Sequence, residues 1–175
     1  MPASEQGVTR DRYTLIPRTL IFLTRGDHVL LLKGGPEKRL WANRYNGIGG
    51  HVERGEDILT AARREMVEEA GLSVPGLRLC GVVTIDAGQE VGIGIFVLRG
   101  ECSEEEPTDC EPVPSSEGTL EWVPVAALER LPLVEDLPVL LPRVLARRPG
   151  DPPFSANYRY DSSDRLVITF GDKHE

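Results

Sequence analysis

Cysteine is scarce in this chain, with only Cys80, Cys102 and Cys110 among 175 residues. Their number is odd and no two of them form a C-x-x-C pair. This pattern argues against a disulfide framework and against a zinc site. We therefore expect ordinary thiols, as in a cytosolic protein.

Long runs of basic or of apolar residues are also missing. The formal net charge is -8 and no long Lys/Arg run occurs, so we expect neither a nucleic acid polymer nor an anionic membrane surface as partner. No stretch approaches the length of a membrane span, and the N-terminus has no basic segment followed by an apolar run. The expected location is the cytoplasm and the expected substrate is a small molecule.

The composition leaves room for one core. A chain of 175 residues that is 40% hydrophobic and 27% charged suits one domain over residues 1–175, with a polar, loosely held segment at 1–12.

β-rich runs and turn residues predict strands at 19–24, 29–33, 46–52, 77–86, 91–99, 119–123, 156–160 and 166–170. Helices are predicted at 58–70, 125–130 and 137–147. This order is compatible with an α/β/α sandwich around a mixed β-sheet.

The helix at 58–70 has signals at both ends. Asp57 is the expected N-cap and Gly71 the expected residue after the C-cap. Before it, Gly49, Gly50 and Gly55 allow a sharp loop that approaches a ligand closely.

Three acidic residues of this helix are neighbours: Glu68 and Glu69 stand three and four positions after Glu65. Glu69 falls inside the edge of the apolar arc, and Glu65 and Glu68 fall just outside it. Like charges at this spacing destabilise a helix by a few tenths of a kcal/mol per pair, so something should compensate them. A hard divalent cation, Mg²⁺ or Mn²⁺, is the economical candidate because it binds carboxylates and bridges to phosphates.

The stretch from Gly50 to Leu72 matches G-x(5)-E-x(7)-R-E-U-x-E-E-x-G-U, with U aliphatic, at every fixed position. In this it resembles the Nudix box, and the Nudix fold is an α/β/α sandwich of the same kind. The resemblance implies that Glu65, Glu68 and Glu69 are catalytic and bind metal, with the Gly50 carbonyl as a further ligand. It also implies a structural ion pair between Glu56 and Arg64. By the same resemblance, Glu117, which lies outside the box, is a further metal-binding carboxylate. The alternative is that Glu117 is one more glutamate of an acidic loop.

Outside the box, the segments 19–50 and 135–160 resemble Nudix hydrolases of the MutT type, which act on oxidised purine nucleoside triphosphates. The resemblance implies that Asn46 and the acidic pair Glu135–Asp136 read the purine edge, although acids also suit a helix N-terminus. Phosphates are assigned to Lys33 and Arg44, although a lysine at a hairpin end is commonly a surface residue. Trp41 and Tyr45 either stack on the base or cover the core.

The resemblance implies a Mg²⁺-dependent pyrophosphohydrolase that converts a nucleoside triphosphate, such as 8-oxo-dGTP, to the monophosphate and pyrophosphate. Mn²⁺ is the second candidate ion. Two alternatives stay open: a hydrolase of a nucleoside diphosphate derivative such as ADP-ribose, and a Nudix module that binds a nucleotide without catalysis. The expected partner is the nucleotide substrate, with the chain as a monomer or a homodimer.

Overall fold

The computed structural model describes residues 2, 5–7, 11–103 and 110–171; half of the segment 1–12, for which a loosely held chain was expected, lies outside these ranges. The strands are β1 Thr14–Arg25, β2 His28–Gly34, β3 Tyr45–Asn46, β4 Arg78–Asp86, β5 Val91–Glu101, β6 Gly118–Pro124, β7 Phe154–Tyr160 and β8 Leu166–Phe170. The α-helices are α1 Ile58–Ala70 and α2 Leu137–Ala146, and a 3₁₀ helix spans Val125–Arg130. In the described ranges, no helix is long and apolar enough to cross a membrane.

All these strands belong to one mixed sheet in the order β3-β2-β1-β5-β4-β7-β8, with β6 paired to β2. β1 pairs in parallel with β5, and β4 pairs in parallel with β7. The other pairs are antiparallel, including the hairpins β1–β2 and β7–β8. Each of these hairpins joins two strands that the sequence predicted on either side of turn residues, and the structure confirms those strands.

β1 shows how the two helices cover opposite faces of the sheet. Its alternate residues point to opposite sides. Leu20 and Phe22 pack in the cluster that contains α2, whereas Ile21 and Leu23 pack in the cluster that contains α1. The predicted α/β/α arrangement is thereby confirmed.

The predicted strand at 46–52 is reduced to the two-residue strand β3 and isolated bridges. β1 and β2 pair only near their hairpin turn, where Leu23 lies opposite Leu30. Further from the turn, β3 and the segment that follows it take the place of direct pairing: Asn46 of β3 pairs with β2, and Ile48 bridges to β1. The glycine-rich segment therefore forms single bridges instead of a continuous ladder.

The prediction of unpaired cysteines is wrong for two of the three. Cys102 and Cys110 form a disulfide, and only Cys80, which is buried, is free. Three residues after Cys110, the Val113 N–H donates to the Ala70 carbonyl at the end of α1, at 2.9 Å. An odd number of cysteines excludes pairing of all of them in disulfides within the chain, but it does not exclude one disulfide.

Candidate active site

Helix α1 begins and ends where its local sequence predicts. The Asp57 carboxylate accepts hydrogen bonds from the backbone N–H groups of Leu59 and Thr60, at 2.8 and 3.1 Å. Gly71 adopts φ 69°, and its N–H donates to the Val67 carbonyl at 3.0 Å. These caps satisfy backbone groups that a helix leaves open at its ends.

The loop before α1 is tied to the helix through Arg64. Its guanidinium donates to both carboxylate oxygens of Glu56, at 2.7 and 3.3 Å, and to the His51 carbonyl at 2.9 Å. It also donates to Glu65 at 2.8 Å and to Glu68 at 3.1 Å. Arg64 is the largest cause that lowers the pKa of Glu56. Arg64 thus forms an ion pair with Glu56 and has three further partners: Glu65, Glu68 and the His51 carbonyl.

Glu65 is more buried than its place on the helix predicted. It is 8% exposed, because Gly50 packs directly on its carboxylate. A Cβ on Gly50 would lie 2.6 Å from Cδ of Glu65, so only glycine permits this approach. β1 holds the loop in place, since the Thr19 N–H donates to the Gly50 carbonyl at 2.8 Å. A carbonyl oxygen has a second lone pair for another partner.

Glu68 and Glu69 differ in their surroundings. The Glu68 side chain is 58% exposed, whereas Glu69 is half-buried and accepts from the Gly49 N–H at 3.3 Å. Burial, and secondly the nearby charges of Glu65 and Glu68, raise the pKa of Glu69 to about 6. The environment of Glu69 therefore disfavours an uncompensated negative charge.

Two neighbouring cavities open beside these groups. The first, of about 310 Å³, is lined by Asn46, Glu135 and Asp136 among others. The second, of about 360 Å³, is lined by Glu69 and Glu117 among others. Four residues line both cavities and form their common wall: Trp41, Asn46, Gly47 and Gly49.

Of the predicted purine-reading residues, Glu135 and Asp136 line the first cavity and Asn46 lines both. The predicted metal ligands are divided: Gly50 lines the first cavity, Glu69 and Glu117 line the second, and Glu65 and Glu68 line neither. Arg44 lines the second cavity, and its guanidinium donates to the Leu133 carbonyl at 3.1 Å. Lys33 lines neither cavity; its Nζ lies 5.5 Å from the ring centre of Tyr45.

The two aromatic candidates for stacking have different environments. Tyr45 is buried, and its hydroxyl donates to Glu121 at 2.8 Å, so it belongs to the core. Trp41 is 49% exposed and adopts φ 58°. Its position on the common wall leaves its ring available to a ligand.

Asp136 and Tyr158 give the first cavity a buried polar end. Burial raises the pKa of Asp136, and the charge of Glu135 raises it further. Tyr158 is 2% exposed, and its hydroxyl lies beside Asp136 without a well-formed hydrogen bond among the described residues. A buried carboxyl of this kind can accept a hydrogen bond from a ligand, and it can donate one when it is protonated.

Two residues of this region were not foreseen from the sequence. Lys38 forms an ion pair with Glu117 and lines the second cavity, although it stands in a loop without any motif. Tyr158 lies in β7, where alternation predicts its buried side but not the cavity that it reaches. The only sequence signal for Lys38 was its basic charge in the loop before the glycine-rich segment.

The carboxylates suit a hard divalent cation by their chemistry. Glu69 is half-buried and close enough to Glu65 and Glu68 for their charges to raise its pKa, and such a cluster favours a cation with oxygen ligands. In the ranges that the structure describes, no three His, Cys, Asp or Glu side chains are already grouped as ligands. Arg64 instead neutralises Glu65 and Glu68 in this conformation.

Comparison with known proteins places these features in a family. The model of the NUDIX domain matches residues 14–144. An oxidized purine nucleoside triphosphate hydrolase of Danio rerio is 34% identical over 94 residues, which are 53% of this chain and 59% of that protein. The chain therefore spans less than two thirds of that relative's length.

Solved structures show the same fold. The MutT protein of Bacillus halodurans superposes with a TM-score of 0.73 at 24% identity, covering 91% of this chain and 100% of that one. The NUDIX domain of Shewanella oneidensis NrtR, complexed with ADP ribose, superposes with a TM-score of 0.64 at 15% identity, covering 83% and 97%. At these identities the likeness concerns the fold.

Proposed function

The chain belongs to the NUDIX domain family, and from this membership we propose that it is a Mg²⁺-dependent pyrophosphohydrolase of nucleoside triphosphates. Mn²⁺ is an alternative ion. The proposed substrate is an oxidised purine nucleotide such as 8-oxo-dGTP, and the products are the monophosphate and pyrophosphate. Such an activity would remove oxidised purines from the nucleotide pool. One observation carries the proposal: a cavity with amide and carboxyl groups shares a wall with a cavity lined by Glu69 and Glu117.

The first cavity suits a purine. The Oδ1 of Asn46 accepts from the Gly47 N–H at 2.8 Å, so the amide nitrogen of Asn46 is the group left to donate to a base. Glu135 and Asp136 can accept from ring N–H groups, and the raised pKa of Asp136 lets its protonated form donate. Trp41 on the common wall offers a face for stacking.

The second cavity suits the phosphate chain. Lys38, Arg39 and Arg44 line it, and their positive charges attract phosphates in an acidic protein. The proposed metal ligands are the Gly50 carbonyl and the carboxylates of Glu65, Glu68, Glu69 and Glu117. A bound divalent ion would neutralise phosphate oxygens and stabilise the leaving group's charge.

The proposed reaction is a displacement at an internal phosphorus. A water molecule attacks, the bond from this phosphorus to the bridging oxygen breaks, and a glutamate accepts the proton of the water. Glu65 is the candidate base from the family resemblance. The Glu56–Arg64 pair keeps the loop against the helix, which fixes the carboxylates relative to the substrate.

A second candidate, hydrolysis of ADP-ribose, is supported by the ADP ribose bound to the structurally similar NrtR domain. A substrate panel distinguishes the two. The protein is incubated with Mg²⁺ and 8-oxo-dGTP, dGTP, dATP, ADP-ribose or a dinucleoside polyphosphate, and the products are separated by chromatography.

The proposed function predicts much faster turnover of 8-oxo-dGTP than of dGTP. Cleavage of ADP-ribose alone would contradict the substrate assignment while leaving the chemistry of the box intact. Binding without turnover of any substrate would favour the non-catalytic module.

A further inference from the structure

Arg18 is a charged residue of the first cavity that the proposed function does not use. It lies on β1, is half-buried and lines the cavity. Its Nε atom is buried and has no hydrogen-bond partner among the described residues. An unpaired buried donor is unfavourable, so a ligand acceptor at this place would be favoured.

The strand register directs Arg18 into the cavity. Residues directly paired on neighbouring strands point to the same face, as do residues two apart on one strand. Arg18 pairs with Ile95 of β5 and stands two residues before Leu20, and both of these also line the cavity. Arg18 therefore forms the polar end of an otherwise apolar floor.

The other polar groups of the cavity complement Arg18. It is the single Lys or Arg among the described residues that line this cavity, whereas Glu135 and Asp136 contribute carboxyl groups. The Tyr158 hydroxyl is a second buried polar group that makes no well-formed hydrogen bond within the part of the chain that the structure describes. A ligand that complements these groups must therefore present an oxygen acceptor to Arg18 and N–H donors to the acids.

A base carbonyl fits this requirement better than a phosphate. The candidate metal ligands Glu69 and Glu117 line the second cavity together with Lys38, Arg39 and Arg44, whereas the candidate ligand Gly50 lines the first. The three cationic side chains make the second cavity the better place for the phosphate chain. A lactam presents a carbonyl oxygen beside an N–H on one edge, and guanine and 8-oxoguanine both contain one. Adenine has an amino group in place of that carbonyl.

We propose that Arg18 is a specificity-determining residue that donates a hydrogen bond to a carbonyl oxygen of the base, so that the cavity selects oxo-purines over adenine. This inference rests on the proposed function for the assignment of the two cavities. A charged donor to a neutral acceptor changes affinity by about 10- to 100-fold when it is removed.

Binding measurements without turnover test the inference. Isothermal titration calorimetry, with divalent ions removed, gives the affinities of 8-oxo-dGMP, dGMP and dAMP for the wild type and for Arg18→Met. Methionine keeps an unbranched chain of similar length and removes the donors. Arg18→Lys keeps the charge and tests whether the planar guanidinium is needed. Arg130→Met, at an exposed position outside both cavities, is the matched control.

The inference predicts that Arg18→Met weakens binding of both oxo-purines by about 10- to 100-fold and changes dAMP affinity by less than about threefold. Arg18→Lys should recover only part of the loss, and Arg130→Met should match the wild type. Equal losses for all three nucleotides would overturn it, because they indicate a phosphate contact. Unchanged affinities, or no binding by the wild type, would overturn it as well.

These outcomes are independent of hydrolysis. A wild type that discriminates oxo-purines through Arg18 but hydrolyses no triphosphate would contradict the proposed function and leave the inference standing. Melting temperatures of all variants show whether each is folded. If Arg18→Met is not folded, Arg18→Lys alone decides, with a selective loss for oxo-purines as the expected result.

Discussion

Arg64 holds Glu56 through two hydrogen bonds, from Nη2 to Oε1 at 2.7 Å and from Nε to Oε2 at 3.3 Å. The same guanidinium donates to Glu65 and to the His51 carbonyl. One side chain thus links the loop before α1, the helix and the buried carboxylate. The two-point geometry needs a planar guanidinium, which lysine does not offer.

Replacing Glu56 should therefore reduce activity although Glu56 is not expected to touch the substrate. Glu56→Gln removes the charged acceptor of Arg64 and loosens the loop, and a misplaced catalytic group lowers the rate by about 10- to 100-fold. Steady-state kinetics with the substrate that the panel identifies measure this. Glu53→Gln is the control, because Glu53 is exposed and contacts Glu56 through its backbone N–H. Equal rates for wild type and Glu56→Gln would contradict the bracing role.

The end of α1 gives a prediction for stability. Gly71 has φ 69°, and a Cβ there would lie 2.7 Å from Cγ2 of Val113. Gly71→Ala should lower the free energy of unfolding by about 1–2 kcal/mol from the backbone conformation alone. Gly76→Ala is the control, since nothing lies within 4 Å of its Cβ position and its φ is not positive. Urea unfolding of both variants measures the difference; a Gly71→Ala variant as stable as Gly76→Ala would be the contrary result.

The disulfide between Cys102 and Cys110 should contribute to stability. Bridging positions eight residues apart restricts the unfolded chain, and a loop of this size accounts for about 2 kcal/mol. Dithiothreitol should lower the melting temperature of the wild type. The double variant Cys102→Ser/Cys110→Ser should melt at the reduced protein's temperature and ignore the reductant. A wild type whose melting is also insensitive to dithiothreitol would show that the bond makes no contribution.

Asp136 gives a pH-dependent prediction. Burial, and secondly the charge of Glu135, raise its pKa in the folded protein. Between the unfolded and the folded pKa the native state binds more protons, so this group makes stability fall as pH rises through that window. The Asp136→Asn substitution gives a side chain that is uncharged at every pH. It removes no cap hydrogen bond of α2, because the Asp136 side chain makes none.

The difference in melting temperature between Asp136→Asn and the wild type should therefore become more positive from pH 4 to pH 7. Differential scanning fluorimetry over this range measures it. Glu129→Gln, at an exposed position, should show a difference that does not change with pH. A constant difference for Asp136→Asn would mean that its carboxyl is not perturbed.

The parts of the fold that depend on local signals were predictable. The bounds of α1 follow from Asp57 and Gly71, whose effects act within one turn of the helix. The two hairpins follow from turn residues between alternating β-rich runs. The grouping of Glu65, Glu68 and Glu69 follows from helical spacing alone.

Features that depend on contacts between residues distant in the sequence were not predictable. Glu65 is buried because Gly50, on a separate loop, packs on its carboxylate, and helical periodicity contains no information about that loop. Tyr45 is a core residue because β2 pairs both with β3, which contains Tyr45, and with β6, which contains its partner Glu121. The disulfide depends on Cys110 lying beside Cys102 at the end of β5, and there the Trp122 indole donates to the Cys110 carbonyl at 3.2 Å.

The most direct test of the central claim is ³¹P NMR of 8-oxo-dGTP incubated with Mg²⁺ and either the wild type or Glu65→Gln. The wild type should produce pyrophosphate and 8-oxo-dGMP in equal amounts. Glu65→Gln should react about 10²- to 10⁴-fold more slowly, the range for loss of a catalytic acid or base, while still binding the nucleotide. Orthophosphate and a nucleoside diphosphate as products, or equal rates for the two proteins, would contradict the account.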